Sequence, residues 1–318
     1  MKRLLPLILI FLSGCLMFAD VPSAPVVEGM CYLTGYVDLQ EAVDNCVNGG
    51  TVIIPAGVHE IGTVVINNND EWQKVVNIQG VAPGHLGQSP PLGSGQWDLL
   101  LDGGYHYGTV LRGHIVVDEG ARLYMNNLSM IGHAEGTAVQ YNSTVPNGAF
   151  SSVSCGNYET CFYVRGYYLT FDDIDIAGVG TGFDVSGNVI SLRDVDIKGC
   201  DLGANLSGAN VGYDGGSVQG CNDGVLFGAT VGKLGNIYFE QIVGYSLQVT
   251  GSGSEISPNF YATNSGSVSI SGHDNIVFLG LNPSDMVEIN GDTNYIYNAA
   301  FGQYNDTGWA NVIERPYP

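Results

Sequence analysis

Positive charge is what this chain has least of. Its 318 residues carry ten Lys and Arg against 31 Asp and Glu, a formal net charge of −21. So few cations cannot build the broad basic surface that a nucleic-acid backbone or an anionic bilayer needs, so neither is expected as a direct partner. The acids serve at least to keep a Gly- and Val-rich surface in solution. Metal patterns are missing as well. No Cys-x-x-Cys and no His-Glu-x-x-His occurs, and His59, His85, His106, His114, His133 and His273 are scattered. No glycine-rich loop leads into a helix, which removes the usual phosphate cradle. The one long apolar run, Leu4–Leu12, is short of the roughly 20 residues of a membrane span.

What the chain does have is a repeat. FDDIDIAGVGTGFDVSG (171–187) and LRDVDIKGCDLGANLSG (192–208) superpose at an offset of 21 residues. Asp173 falls on Asp194, Asp175 on Asp196, Gly178 on Gly199 and Gly187 on Gly208. A period of this size is the signature of a solenoid, in which each unit buries its apolar face only against its neighbours. The strand ending each repeat lines up by its glycine: CFYVRG, GFDVSG, GANLSG, GVLFG, SLQVTG, SVSISG and MVEING, from residue 161 to 291. Alternation places Phe162, Val164, Phe183, Val185, Leu206 and Phe227 inward. Tyr163, Arg165, Asp184, Ser186, Asn205, Ser207 and Leu226 then point outward, followed by Gln248, Ser269 and Glu288. Glycine at the strand end suits a tight corner with unusual dihedrals.

Lys2 and Arg3 before Leu4–Leu12 have the layout of a secretory signal, assigned here to residues 1–19. Leu12-Ser13-Gly14-Cys15 resembles the lipobox of bacterial lipoproteins, which implies cleavage before Cys15 and a lipid anchor on it. Ordinary cleavage near Ala19 or Ala24 is the alternative, and would leave the protein secreted. The expected location is the cell envelope, at the outer membrane or cell surface, with the membrane met only through the anchor. Seven cysteines are an odd count. Without Cys15 the rest pair as Cys31 with Cys46, Cys155 with Cys161, and Cys200 with Cys221. The last two share one place in successive repeats. Adjacent strands lie about 4.8 Å apart, within the roughly 4.4–6.8 Å Cα separation of a disulfide. Stacked free thiols are the alternative; bonded pairs imply an oxidising compartment.

Residues 20–36 read as a linker. Val37–Val47 reads as a helix: Asp38 is a good N-cap with Glu41 three residues on, and Leu39, Ala42, Val43, Cys46 and Val47 make one apolar stripe. Short β runs follow from Thr51. LQEAVDNCVNGGTVIIPAGVHEIGTVVI resembles the opening of proteins in the pectin lyase-like superfamily. That resemblance implies an all-β fold, a single-stranded right-handed parallel β-helix whose end is plugged by the amphipathic helix. The β-helix domain is placed at residues 37–318, with loop excursions at 81–97 and 142–160. The resemblance is informative on fold and nearly silent on activity.

In β-helix enzymes of that superfamily the active site lies in a groove along one sheet, so the resemblance implies a polysaccharide partner. Arg165 and Asp184, one rung apart, are the candidate catalytic pair, with Asp184 as general acid or base. Arg112, Tyr141, Tyr163 and Asn205 are the candidate substrate-binding residues: a sugar ring stacks on an aromatic, and polar groups hold hydroxyls. An ordinary cross-strand ion pair is the plainer reading of Arg165 and Asp184. Asp173, Asp175, Asp194 and Asp196 form a second cluster. Like charges directly opposite repel. A bound Ca²⁺, a shifted carboxyl or splaying into water would each relieve this, so Ca²⁺ is the one cofactor suggested. The signatures of particular enzyme families are missing. Asp172-Asp173 has no Gly-His-Gly or Arg-Ile-Lys after it, and no Arg-x-Pro-x-x-Arg occurs. A polysaccharide lyase or hydrolase and a non-catalytic glycan-binding or structural surface protein both remain open.

Overall fold

The computed structural model describes residues 29–68, 73–82, 108–260, 266–279, 286–298 and 303–314. Every pairing between the strands of these residues is parallel. Each coil pairs with the coil before and after it, so the fold is an all-β parallel solenoid. Residues pair across one repeat, Asp175 with Asp196 and Phe183 with Ala204, at the offset of 21 seen in the sequence.

Each regular coil contributes to three faces. The first holds 109–112, 128–131, 153–156, 174–177 and 195–198. The second holds 115–117, 139–141, 162–164, 183–185 and 204–206, and runs on to 303–306. The third begins at 30–32, so the stretch 20–36 is not all linker, and runs through 51–53, 74–79, 121–126 and 170–172 to 312–314. The bends are so tight that pairing continues through them, and Asn188–Gln219 is one unbroken strand.

The core is a column of inward side chains. Phe162, Val164, Phe183, Val185, Leu206 and Phe227 are all buried, as alternation expects. Phe150 stacks on Phe171 with centroids 4.7 Å apart, and Phe162 on Phe183 at 4.9 Å. Full burial of one such side chain stabilises by about 1.5–3 kcal/mol.

The strand-end glycines have a different cause from the one expected. Of Gly166, Gly187 and Gly208, only Gly208 has a positive φ, 104°. Their common feature is close approach of the preceding coil. A Cβ on Gly187 would lie 2.2 Å from the Gly166 carbonyl oxygen, and one on Gly272 would lie 1.8 Å from that of Gly251. The left-handed residue that turns the chain follows a little later, at Tyr168, Val189, Asn210 and Val231. The bend from the third face to the first likewise rests on Asn127, Ser152, Asp173, Asp194 and Asn236.

The helix, α1, spans Leu39–Asn45 and is shorter than the stripe suggested. The Asp38 carboxylate accepts the Glu41 N–H at 2.8 Å, and Glu41 accepts the Val37 N–H at 2.6 Å. Leu39, Ala42 and Val43 are buried in the common core. The helix stops because Cys46 is extended and bonded to Cys31, which leaves Val47 exposed. All three expected disulfides are present: Cys31–Cys46, Cys155–Cys161 and Cys200–Cys221, with Cα separations of 5.9, 6.1 and 4.5 Å.

Residues 142–160 are not an excursion. Gly148–Gly156 is a regular strand, paired on one side with Ala121–Ile131 and on the other with Tyr167–Val185. Its polar, small residues (Ser151, Ser152, Ser154) hid the inward set Phe150, Val153 and Cys155. The segment 81–97 lies, from residue 83 on, outside the described residues, as do the signal region and Cys15.

Candidate functional site

On the second face each strand presents outward columns between its buried residues. The central column reads Val116, Gln140, Tyr163, Asp184, Asn205, Leu226, Gln248, Ser269 and Glu288, one residue per coil. Beside it run Thr137, Thr160, Thr181, Leu202 and Asp223. Arg165 stands just beyond the end of its strand, where its N–H donates to the Tyr141 carbonyl.

Four of the expected residues converge here. Arg165 Nη2 donates to Asp184 Oδ2 at 3.0 Å. Arg165 Nη1 donates to the carbonyls of Val164 and Asp184, each at 3.0 Å. The guanidinium lies over the Tyr163 ring, 3.8 Å from its centroid, a cation–π contact. From the next coil, Asn205 Nδ2 donates to Asp184 Oδ1 at 3.1 Å. The side chains of Arg165 and Asp184 remain 30% and 27% exposed, so the pair is reachable from solvent.

The other site residues fall elsewhere. Tyr141 is fully buried, edge-on to Phe150 with centroids 6.4 Å apart, and is a core residue rather than a groove residue. The alternation is out by one at this strand, and Gln140 takes the outward place. Arg112 belongs to the first face, across the bend at Gly113, and pairs with Glu60 at 3.4 Å. It is therefore not beside Tyr163.

The four aspartates are not gathered into one site. Asp173 and Asp194 sit at the left-handed bend, with φ of 56° and 48°. Asp175 and Asp196 pair across one rung on the following face. Asp173 accepts the Ser152 hydroxyl at 2.6 Å, and Asp196 accepts that of Ser217 at 2.5 Å. The bend separates the two pairs, and hydroxyls of neighbouring coils relieve the like charges. Among the described residues no three His, Cys, Asp or Glu side chains come together as a cation would require.

Sequence reasoning did not mark Gln140 or the threonine column. The signal was available: Thr160 and Thr181 are one repeat apart, as are Tyr163 and Asp184. A second carboxylate close to Asp184 would mark a hydrolase of the two-carboxylate kind, which needs a separation of roughly 5–9.5 Å. On the central column the next acid is Glu288, five rungs away, about 24 Å at about 4.8 Å per rung.

No protein-family model and no curated protein matches the chain. Among solved structures it is similar to the catalytic domain of a GH87 alpha-1,3-glucanase in complex with tetrasaccharides, at 11% identity and a TM-score of 0.49, over 94% of this chain. It spans 57% of that glucanase chain. It is also similar to the A-module of the Azotobacter vinelandii mannuronan C-5 epimerase AlgE6, at 11% identity and a TM-score of 0.40, over 90% of this chain and 99% of that one. A third is the Yersinia enterocolitica family 28 exopolygalacturonase, at 9% identity and a TM-score of 0.28, over 89% and 78%. Likeness at this level transfers no activity.

Proposed function

We propose that this is an exported solenoid that engages an extracellular polysaccharide along its second face. The observation that carries the reading is the convergence of Tyr163, Arg165, Asp184 and Asn205 within an outward column, Val116 to Glu288, that is polar at every rung except Val116 and Leu226. A column with a polar residue in most coils is matched to an extended polymer, which can lie along it and meet a hydroxyl partner at most rungs. Binding is the reading favoured first. Both oxygens of Asp184 are already held, by Arg165 and Asn205, and no second carboxylate stands nearby on the column. Catalysis by Arg165 and Asp184 is the second reading, favoured by an ion pair that is part-buried yet open on one side.

In the same reading, residues 1–19 direct export, Cys15 carries the lipid, and the solenoid, whose first strand is Met30–Tyr32, forms the working domain. Export accords with the three disulfides. The helix α1 closes the N-terminal end, with its apolar face in the core. The deciding experiment is a screen of the mature domain against acidic and neutral polysaccharides, with and without Ca²⁺. It reads binding, new reducing ends and unsaturated uronates. Retention without turnover supports the binding role. Reducing ends that vanish in Asp184→Asn establish the enzyme. A folded protein that neither binds nor cleaves any polymer sinks the proposal.

A further inference from the structure

Resting on that reading of the second face, we infer that its polymer is uncharged, a neutral glycan and not a polyuronate. The inference comes from where the few cations of this chain stand. Among the described residues, Arg112 and Lys198 belong to the first face, and Lys74, Arg122, Arg193 and Lys233 to the third. Arg165 alone stands on the second. Its guanidinium is already committed. It donates to two backbone carbonyls and to Asp184, and its plane covers Tyr163. A carboxylated sugar arriving here would find no free cation to meet.

It would find acids instead. Asp184 and Glu288 lie in the central column, and Asp223 lies in the column beside it. Asp184 has its counter-charge. Asp223 accepts the Tyr245 backbone N–H at 2.8 Å, and Glu288 lies 3.5 Å from the Tyr245 hydroxyl. Both partners are neutral, so both charges remain. On a protein of net charge −21 the long-range field adds to this local repulsion. Juxtaposed like charges cost far more than hydroxyl–amide contacts gain. Among the remaining outward residues, Gln140, Thr160, Thr181, Asn205, Gln248 and Ser269 pair with sugar hydroxyls and need no charge, and Val116, Leu202 and Leu226 carry none.

The test compares binding of a neutral glucan, a neutral galactan and sodium polygalacturonate to the mature domain, in chelator, at low and high salt. At least one neutral polymer is expected to bind with an affinity nearly independent of salt, and polygalacturonate at least about tenfold more weakly at low salt. A double variant, Gln248→Lys with Ser269→Lys, alters only outward positions. It should gain polygalacturonate binding at low salt and lose that gain at high salt. Tighter binding of polygalacturonate than of any neutral polymer by the unaltered protein would overturn the inference and leave the polysaccharide reading standing. So would a folded double variant with no gain. Failure of every polymer to bind would remove the polysaccharide reading itself.

Discussion

Val231 has a φ of 54° and is 55% exposed. A β-branched residue in the left-handed region clashes with its own backbone, at a cost of about 1–2 kcal/mol. Little burial is lost by removing this side chain, while glycine brings back about 0.5–1 kcal/mol of chain entropy cost. Val231→Gly is therefore expected to stabilise the fold by about 0.5–1 kcal/mol. The measurement is the denaturant midpoint, and a lower midpoint would show that the bend does not carry this strain. The Arg165–Asp184 pair behaves differently. Both side chains are nearly a third exposed, so solvent screens the attraction and the pair contributes under about 1 kcal/mol. Asp184→Asn should shift thermal unfolding little and weaken or abolish polymer engagement. A large loss of stability with binding intact would make the pair structural.

At the scale of the coil, asparagines replace strand pairing where the chain turns. Asn275, Asn294 and Asn311 occupy one place in successive coils. The Asn294 side chain donates to the Gly272 carbonyl at 2.9 Å and accepts the Asn275 N–H at 3.1 Å. Asn275 does the same one coil earlier, with the Gly251 carbonyl and the Ser254 N–H. Asn275 and Asn294 are buried, so each bond satisfies a backbone group that water cannot reach. Asn294→Ala would orphan one donor and one acceptor. The expected cost is about 2–6 kcal/mol, at about 1–3 for each buried group left unpaired. Equilibrium unfolding checks it, and a cost below about 0.5 kcal/mol would mean that water replaces the side chain.

For the molecule as a whole, the buried tyrosines set an alkaline limit. Burial pushes the hydroxyls of Tyr141, Tyr158 and Tyr213 well above the ordinary tyrosine value of about 10. Tyr158 donates to the Gly113 carbonyl at 2.6 Å and Tyr213 to that of Val195 at 2.9 Å. Once unfolded, the same groups lose their protons near pH 10, so above that value the unfolded chain holds fewer protons than the folded one. Stability is then complete below about pH 10 and falls as pH rises toward the folded values. Tyrosinate absorbance should show a fraction that ionises only as the chain unfolds. Full ionisation near pH 10 with the fold intact would contradict the burial of these three groups.

The sequence by itself determined the period, the parallel stacking and the inward set. An offset of 21 residues sets each side chain beside its own counterpart in the next coil. The same arithmetic placed the Cys200–Cys221 disulfide and put Tyr163, Arg165, Asp184 and Asn205 on one outward face. It failed where polar residues line an ordinary strand, as in Gly148–Gly156, and where alternation began one residue out of step, as at Tyr141. Only the tertiary structure decided which residue makes each bend. A left-handed bend accepts Asn, Asp, Ser, Tyr or Val here, because pairing on both sides holds the backbone in place. That choice sent Asp173 and Asp194 to a corner, away from Asp175 and Asp196, and put Arg112 on a different face from Arg165. Which charges share a surface depends on where a chain turns in space, and local composition does not encode it.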